Sequence, residues 1–352
     1  MNGKERFQTA LELGTPDTVP VFLRDLTLGM DEAGYTTPEV CAPPYDPERS
    51  AHSILSLHRR LRQDAVVGCI HYVGFDALAL GGEIKFTDYG IPSVLRHPLE
   101  SDDWQDMIEP KTMSEDPYRG ALRSYELVSR SLSEEAEVVC NIEGPMTKAA
   151  LLRGMERYAL DIYLDETMAR EVTRLSVELS ISFLEEAAKR GAGTCFLASS
   201  TDNPTIFGQE AFRKYSLPGV RKLRSKAMGL GLPTIFHPHG IFHSQENLSL
   251  VDECIDTGVQ GIQFGEENDL VLLKRVCQRR VCELGGLNVF TTLLLGPEEK
   301  IERETKEYLN ACSPGGGYIF MCSCSLHRGM PLSHVDAMMR ACKAYSSHKW
   351  DY

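Results

Sequence analysis

Short apolar runs recur along the chain at intervals that leave room for a helix between them. Residues 19–23, 65–70, 137–142, 193–198, 233–236, 260–264, 281–289 and 317–321 are continuous or nearly continuous in apolar side chains. Strands without polar alternation are buried on both faces, the mark of a parallel sheet. Between them lie segments with helical periodicity: 46–62, 116–132, 147–154, 159–190 with a break near Leu164-Asp165, 209–229, 248–257, 269–278, 297–312 and 332–345. Eight strand–helix units predict a closed (β/α)8 TIM barrel, with an open doubly wound sheet as the competitor. No GxGxxG follows a strand and opens a helix, which weighs against a dinucleotide-binding variant. Two stretches fall outside the repeat. An N-terminal extension holds a helix over 1–14 and a loop-rich segment over 26–47, read as a mobile cover or partner-binding surface. After strand two, residues 83–86 and 93–97 alternate around Gly90 and Pro92 and predict a β-hairpin insertion. With no internal repeat, low-complexity tract or linker, residues 1–352 read as a single barrel domain.

Composition narrows the partners. A formal net charge of −13 argues against a nucleic-acid footprint and against anionic membranes, and leaves solubility or docking to a protein as its use. No apolar run approaches the ~20 residues of a membrane span, and the first residues form an amphipathic helix, not a secretory leader. Eleven scattered cysteines fit a reducing cytoplasm better than a disulfide framework. Most of them, including Cys69, Cys140, Cys195 and Cys254, read as small buried hydrophobes.

In such a barrel the chemistry sits at the C-terminal ends of the strands. The polar residues there are Arg24 and Asp25, Glu143, Asp202 and Asn203, His237 and His239, Glu266 and Glu267, Asn288, and Cys322 and Cys324. His237 and His239 in FHPHG are two residues apart and share a strand face. Cys324, in CSC at the end of the last strand, faces the same central mouth. Imidazole nitrogen and thiolate sulfur together suit Zn²⁺, and three protein ligands with an open fourth position describe a catalytic site. His237, His239 and Cys324 are the expected ligands, with Cys322 a further candidate. Two satisfied polar residues in a loop are the plain alternative for the histidines. Asp202, in TDNP, either caps a helix or turn or orients a substrate. Glu143 and Glu266 are the other candidate catalytic or orienting acids. His243 is expected outside the site. Gly315-Gly316-Gly317 precedes a strand and reads as a tight turn, not a phosphate cradle.

Several blocks stand in a familiar order: GKERFQTALELGTPDTVPV, GGEIKFTDYGIPSV, NIEGPMTKAALLRGMERYALDIYLD, TDNPTIFGQEAFRKYSLP, GLPTIFHPHG, LLGPEEKIERETKEYL and SPGGGYIFMCSCSL. On these the chain resembles the uroporphyrinogen decarboxylase superfamily over nearly its whole length. Within it the chain looks closest to the cobalamin-dependent methyltransferase branch, which includes the methylcobamide:coenzyme M methyltransferases. The decarboxylases carry an arginine-rich N-terminal motif; here VFLRDLTLG keeps Arg24 alone. They also carry an aspartate after strand two, and Tyr72 stands near its place. The methyltransferase branch implies a zinc-binding HxC after strand five and a cysteine after strand eight. His237 and Cys324 match, whereas His239 stands where the middle cysteine is expected and Cys322 where proline is common. The resemblance implies methyl transfer between a corrinoid (methylcobalamin) and a zinc-activated thiol, methoxy or hydroxyl compound. No DxHxxG-type corrinoid motif is present, so the corrinoid is expected on a separate partner protein. The alternatives are a metal-free decarboxylase and a non-catalytic corrinoid-partner or metal-storage protein.

Overall fold

The computed structural model describes residues 1–72, 74–106, 111–132, 134–277 and 279–346. Among them lie β1 (Ala65–Val67), the hairpin strands β2 (Glu83–Lys85) and β3 (Ser93–Arg96), then β4 (Glu137–Glu143), β5 (Thr194–Ser199), β6 (Thr234–Pro238), β7 (Gly261–Gln263), β8 (Cys282–Gly285) and β9 (Tyr318–Phe320). Seven of these form one parallel sheet in the order β1-β4-β5-β6-β7-β8-β9, each strand neighbouring the next of the repeat. All residues of β1, β4, β6, β7, β8 and β9 are buried, as apolar runs without alternation require. Helices cross between successive strands, so the sheet curls as a (β/α)8 barrel does. The antiparallel β2–β3 pair stands apart as the expected hairpin.

The strand expected at residues 19–23 closes the ring without forming a regular strand. Val21 bridges Phe320 of β9 and Phe22 bridges Ala65 of β1, both in parallel. Toward β9 the bonds are those of a ladder: Phe22 N–H donates to the Phe320 carbonyl at 3.0 Å and Phe320 N–H to Pro20 at 2.9 Å. Toward β1 the Asp64 N–H donates to the Val21 carbonyl at 2.9 Å, and side chains add to it. The Asp64 carboxylate accepts the Val21 amide at 2.8 Å, and the Gln63 side-chain oxygen accepts the Leu23 amide at 2.8 Å. Phe7, Phe22 and Phe196 stack edge-on at centroid separations of 5.9 Å and fill the barrel below the mouth.

Two short helices, Leu28–Ala33 and Thr37–Cys41, occupy the segment expected to be loop, and Phe75–Ala79 adds a further turn before the hairpin. They are shorter than the window in which helical periodicity is legible. After β4 the chain makes three helices: Pro145–Arg153, Met155–Leu164 and Glu166–Ala188. The break expected near 164–165 falls at Asp165, whose side chain accepts the Met168 amide. Another break falls at Gly154. A short helical turn from Pro204, with Asn203 accepting two amides as its cap, ends in a kink at Gly208 (φ 74°, ψ 157°), and the helix expected from residue 209 continues beyond it. The helix expected over 269–278 covers Leu270–Cys277, and residue 278 lies outside the described residues. Among the described residues no helix is long and apolar enough to cross a membrane.

Candidate metal centre

A cavity of about 360 Å³ opens among the C-terminal ends of the strands. β4 sends Asn141 and Glu143 into its wall, two residues apart and so on one face. β5 contributes Ala198, whose register partner on β6 is His237, so a small side chain leaves space beside the imidazole. His237 and His239 end β6, and Cys324 follows β9; all three line the cavity. The Phe196 ring, 5.9 Å from the His237 ring, separates the cavity from the apolar barrel below.

The three expected ligands converge. Their donor atoms all lie within 4.8 Å of one another. His237 Nδ1–H donates to the Gln263 carbonyl at 2.9 Å, which leaves Nε2 as a lone pair aimed at the group. His239 Nε2 stands 3.1 Å from it. Two nitrogens on a tetrahedral zinc, each ~2.0–2.1 Å from the ion, lie about 3.3 Å apart, so this separation fits a shared metal. Burial pushes His237 down to about 4, keeping it neutral as a metal ligand must be. At His239 burial also lowers the pKa, but hydrogen bonding to Cys324 and Glu267 outweighs it and brings it to about 9. Burial opposes ionisation of Cys324, yet the two histidines and Arg24 hold its thiol well below the ordinary value, so sulfur presents as thiolate. The donor set suits Zn²⁺ in the catalytic pattern of three protein ligands.

Cys322 is not part of this group. It is 1 % exposed and its sulfur contacts Met338 Sδ at 3.6 Å, in the apolar layer outside the barrel. The chain leaves strand geometry after Phe320, so CSC does not keep the two thiols on one face. Burial raises its thiol to about 12. Asp202 is also away from the cavity surface. Its carboxylate accepts the Met146 amide at 3.2 Å, and the Thr147 amide and hydroxyl at 3.1 and 2.9 Å. It thus caps the helix Pro145–Arg153 across the β4–β5 boundary, the capping role of the two expected for it. Gly144 makes this possible, because a Cβ there would stand 2.8 Å from Asp202 Oδ2 and 1.9 Å from Ser199 Oγ. Glu266 follows β7 and belongs with Glu267 and His239 to a second group of potential ligands. His243 lies outside, 3.4 Å from Asn268 Oδ1.

Glu143 does line the cavity, inside a buried charge network. Its Oε1 is 2.9 Å from His71 Nε2, and Oε2 makes an ion pair with Lys148 at 3.5 Å. Lys148 also donates to Asp76 Oδ2 at 2.5 Å, and Asp76 accepts the Tyr118 hydroxyl at 2.7 Å. Burial alone would raise the Glu143 pKa; His71 and Lys148 bring it down to about 2. Arg24, 4 % exposed, reaches Cys324 Sγ at 3.6 Å and Asn141 Oδ1 at 3.4 Å, and lies 4.9 Å above the Phe196 ring. His71, Asn141 and His327 of the cavity were not singled out in the sequence. His71 was legible as the first polar residue past strand two; His327 lies three residues beyond Cys324 on an irregular segment and carried no periodic signal.

The family model described as "Uroporphyrinogen decarboxylase (URO-D)" matches residues 2–345. The chain belongs to the uroporphyrinogen decarboxylase family. Its relatives there carry more than one activity. The chain is 23% identical over 350 residues to the methylcobamide:CoM methyltransferase MtbA of Methanosarcina mazei, covering 97% of this chain and 98% of that protein. It is also 23% identical over 364 residues to a uroporphyrinogen decarboxylase of Anaeromyxobacter dehalogenans, with 97% and 98% covered. A solved structure described as a methyltransferase from Methanosarcina mazei matches with a TM-score of 0.82 at 22% identity, over 98% of this chain and 99% of that one. That likeness shows the family's barrel fold.

Proposed function

We propose that this chain is a zinc-dependent methyltransferase that moves a methyl group between a corrinoid, carried by a partner protein, and a heteroatom of a small molecule. The observation that carries the reading is the convergence of one ligand atom each from His237, His239 and Cys324 within 4.8 Å at the cavity. A metal-free decarboxylase has no use for that donor set. The methylcobamide:CoM methyltransferases among its relatives support the same choice. Zinc in such a site acts as a Lewis acid toward a thiol, hydroxyl or ether group.

The chain's own residues then divide the work. His237 presents a neutral nitrogen, His239 would present one once a bound metal displaces its proton, and Cys324 presents sulfur whose negative charge Arg24 supports from 3.6 Å. Asn141, Glu143 and His71 form the polar wall that orients the small molecule. Methyl transfer is an in-line displacement, so its rate depends on how firmly acceptor and donor are aligned. A cavity of about 360 Å³ takes a small molecule but not a corrinoid macrocycle, which must approach from the mouth on its carrier. The cysteine-rich, acidic composition is consistent with action in the cytoplasm.

The test combines metal analysis of the purified protein with methyl transfer from free methylcobalamin to coenzyme M and 2-mercaptoethanol, with and without a chelator. One zinc per chain and chelator-sensitive transfer are expected. Absence of zinc, or consumption of a porphyrinogen acid with release of CO₂ by metal-free protein, overturns the reading.

A further inference from the structure

We propose that Glu267 is the positioning residue of the metal centre, holding His239 in its ligating tautomer and supplying the negative charge that the ligand set lacks. The inference rests on the zinc reading above and deepens it. A thiolate and two neutral imidazoles leave one positive charge on a Zn²⁺ ion. The Arg24 guanidinium, 3.6 Å from Cys324 Sγ, adds another to the same buried site. Uncompensated charge in such surroundings is costly. Among the described residues, Glu266 and Glu267 are the acids grouped with a ligand of this centre, and Glu267 is the one in contact with it.

The geometry is specific to Glu267. Its Oε1 stands 3.4 Å from His239 Nδ1 and accepts the Gly240 amide at 3.0 Å. The carboxylate is thus anchored to the histidine ring and to the backbone just beyond it. Its other oxygen is buried with no hydrogen-bond partner, so the contacts of the carboxylate on this side are the histidine ring and the Gly240 amide. Gly265 keeps the approach open: a Cβ at that position would lie 2.3 Å from Glu267 Oε2 and 3.3 Å from His239 Nδ1. The two imidazoles therefore differ. His237 Nδ1–H donates to a backbone carbonyl, a dipole, whereas His239 is backed by a full charge. An imidazole whose far nitrogen faces a carboxylate is a more basic ligand, and such partners typically carry ~10–100-fold in metal affinity.

The test measures zinc affinity by competition with a chromophoric chelator, independent of any substrate. Apo wild type, Glu267→Gln, Glu266→Gln, His239→Cys and His239→Cys/Glu267→Gln are compared. Glutamine keeps the shape and still accepts the Gly240 amide, so melting of the apo protein should be unchanged by Glu267→Gln. Its zinc affinity should fall by about 10–100-fold. In the His239→Cys background, where no Nδ1 remains to be held, the same change should alter affinity less than threefold. Wild-type affinity in Glu267→Gln overturns the proposal, as does an equal loss in the His239→Cys background or a loss confined to Glu266→Gln. A wild-type chain that binds no zinc overturns the metal reading first, and this role with it.

Discussion

Lys148→Met removes a buried ammonium from the network of Asp76, Glu143, His71 and Tyr118. Lys148 is 1 % exposed and sits between Asp76 at 2.5 Å and Glu143 at 3.5 Å. Burial alone would drive the ammonium neutral, but the two carboxylates outweigh that and raise its pKa above the ordinary value. Methionine fills similar volume, so the loss is chiefly electrostatic. Two carboxylates then remain buried, with the Tyr118 hydroxyl and His71 as their other partners. Breaking a buried pair from one side costs about 3–5 kcal/mol. An unfolding entropy of about 2.1 cal/mol/K per residue over 352 residues gives ~0.7 kcal/mol/K, so the midpoint should drop by roughly 4–7 °C. Differential scanning calorimetry on the apo protein measures it. Adding Asp76→Asn to Lys148→Met should recover part of the loss, since one orphaned charge disappears. An unchanged midpoint in Lys148→Met, or a further drop in the double variant, would refute the reasoning.

Glu283, on β8, is fully buried, and neither carboxylate oxygen has a hydrogen-bond partner; burial raises its pKa from 4.5 to about 8. Its folded form therefore binds the proton more tightly than the unfolded chain, so its contribution is most favourable below pH ~4.5 and is lost as pH rises toward 8. Glu283→Gln should cancel that loss, gaining a few kcal/mol over wild type at pH 8 and little at pH 4.5, as read in urea melts. Cys324→Ser should abolish tight zinc uptake, whereas Cys322→Ser should keep it at one ion per chain; equal retention in both would remove Cys324 from the site. Asp202→Ala should cost about 1–3 kcal/mol by freeing three donors at the start of the helix Pro145–Arg153, while zinc stoichiometry stays unchanged. Loss of zinc with no loss of stability would reverse that assignment.

The strands that sequence made legible are those buried on both faces, because a continuous apolar run survives any choice of neighbours. β4 and β6 are of this kind, and they carried Glu143, His237 and His239 to the mouth. The segment around Val21 was also legible as a strand, but its side-chain pairing toward β1 was not. Which amides go to Gln63 and Asp64 depends on side chains forty residues away. Cys322 shows the limit of spacing arguments. Two thiols two residues apart share a face only while the chain stays extended, and here it stops at Phe320. Asp202 shows a different limit. A cap on the following helix can be inferred locally, but this aspartate serves a helix that precedes it by more than fifty residues. The charges around Lys148 were invisible for the same reason, since their pairing exists only after β1 and β4 align.

On its β1 side the ring is joined at residues 21–23 by a peptide-to-peptide bond, Asp64 N–H to the Val21 carbonyl at 2.9 Å, together with the Asp64 and Gln63 side chains, and the next residue is Arg24. This side-chain-assisted joint of the barrel wall therefore lies next in the chain to the guanidinium that steadies the Cys324 sulfur. Loosening at that joint would carry positive charge away from the sulfur and make it a stronger donor. Amide exchange at Val21 and Leu23, compared between apo and zinc-loaded protein, reads the joint directly: slower exchange on loading shows the coupling, and identical rates show that it is absent.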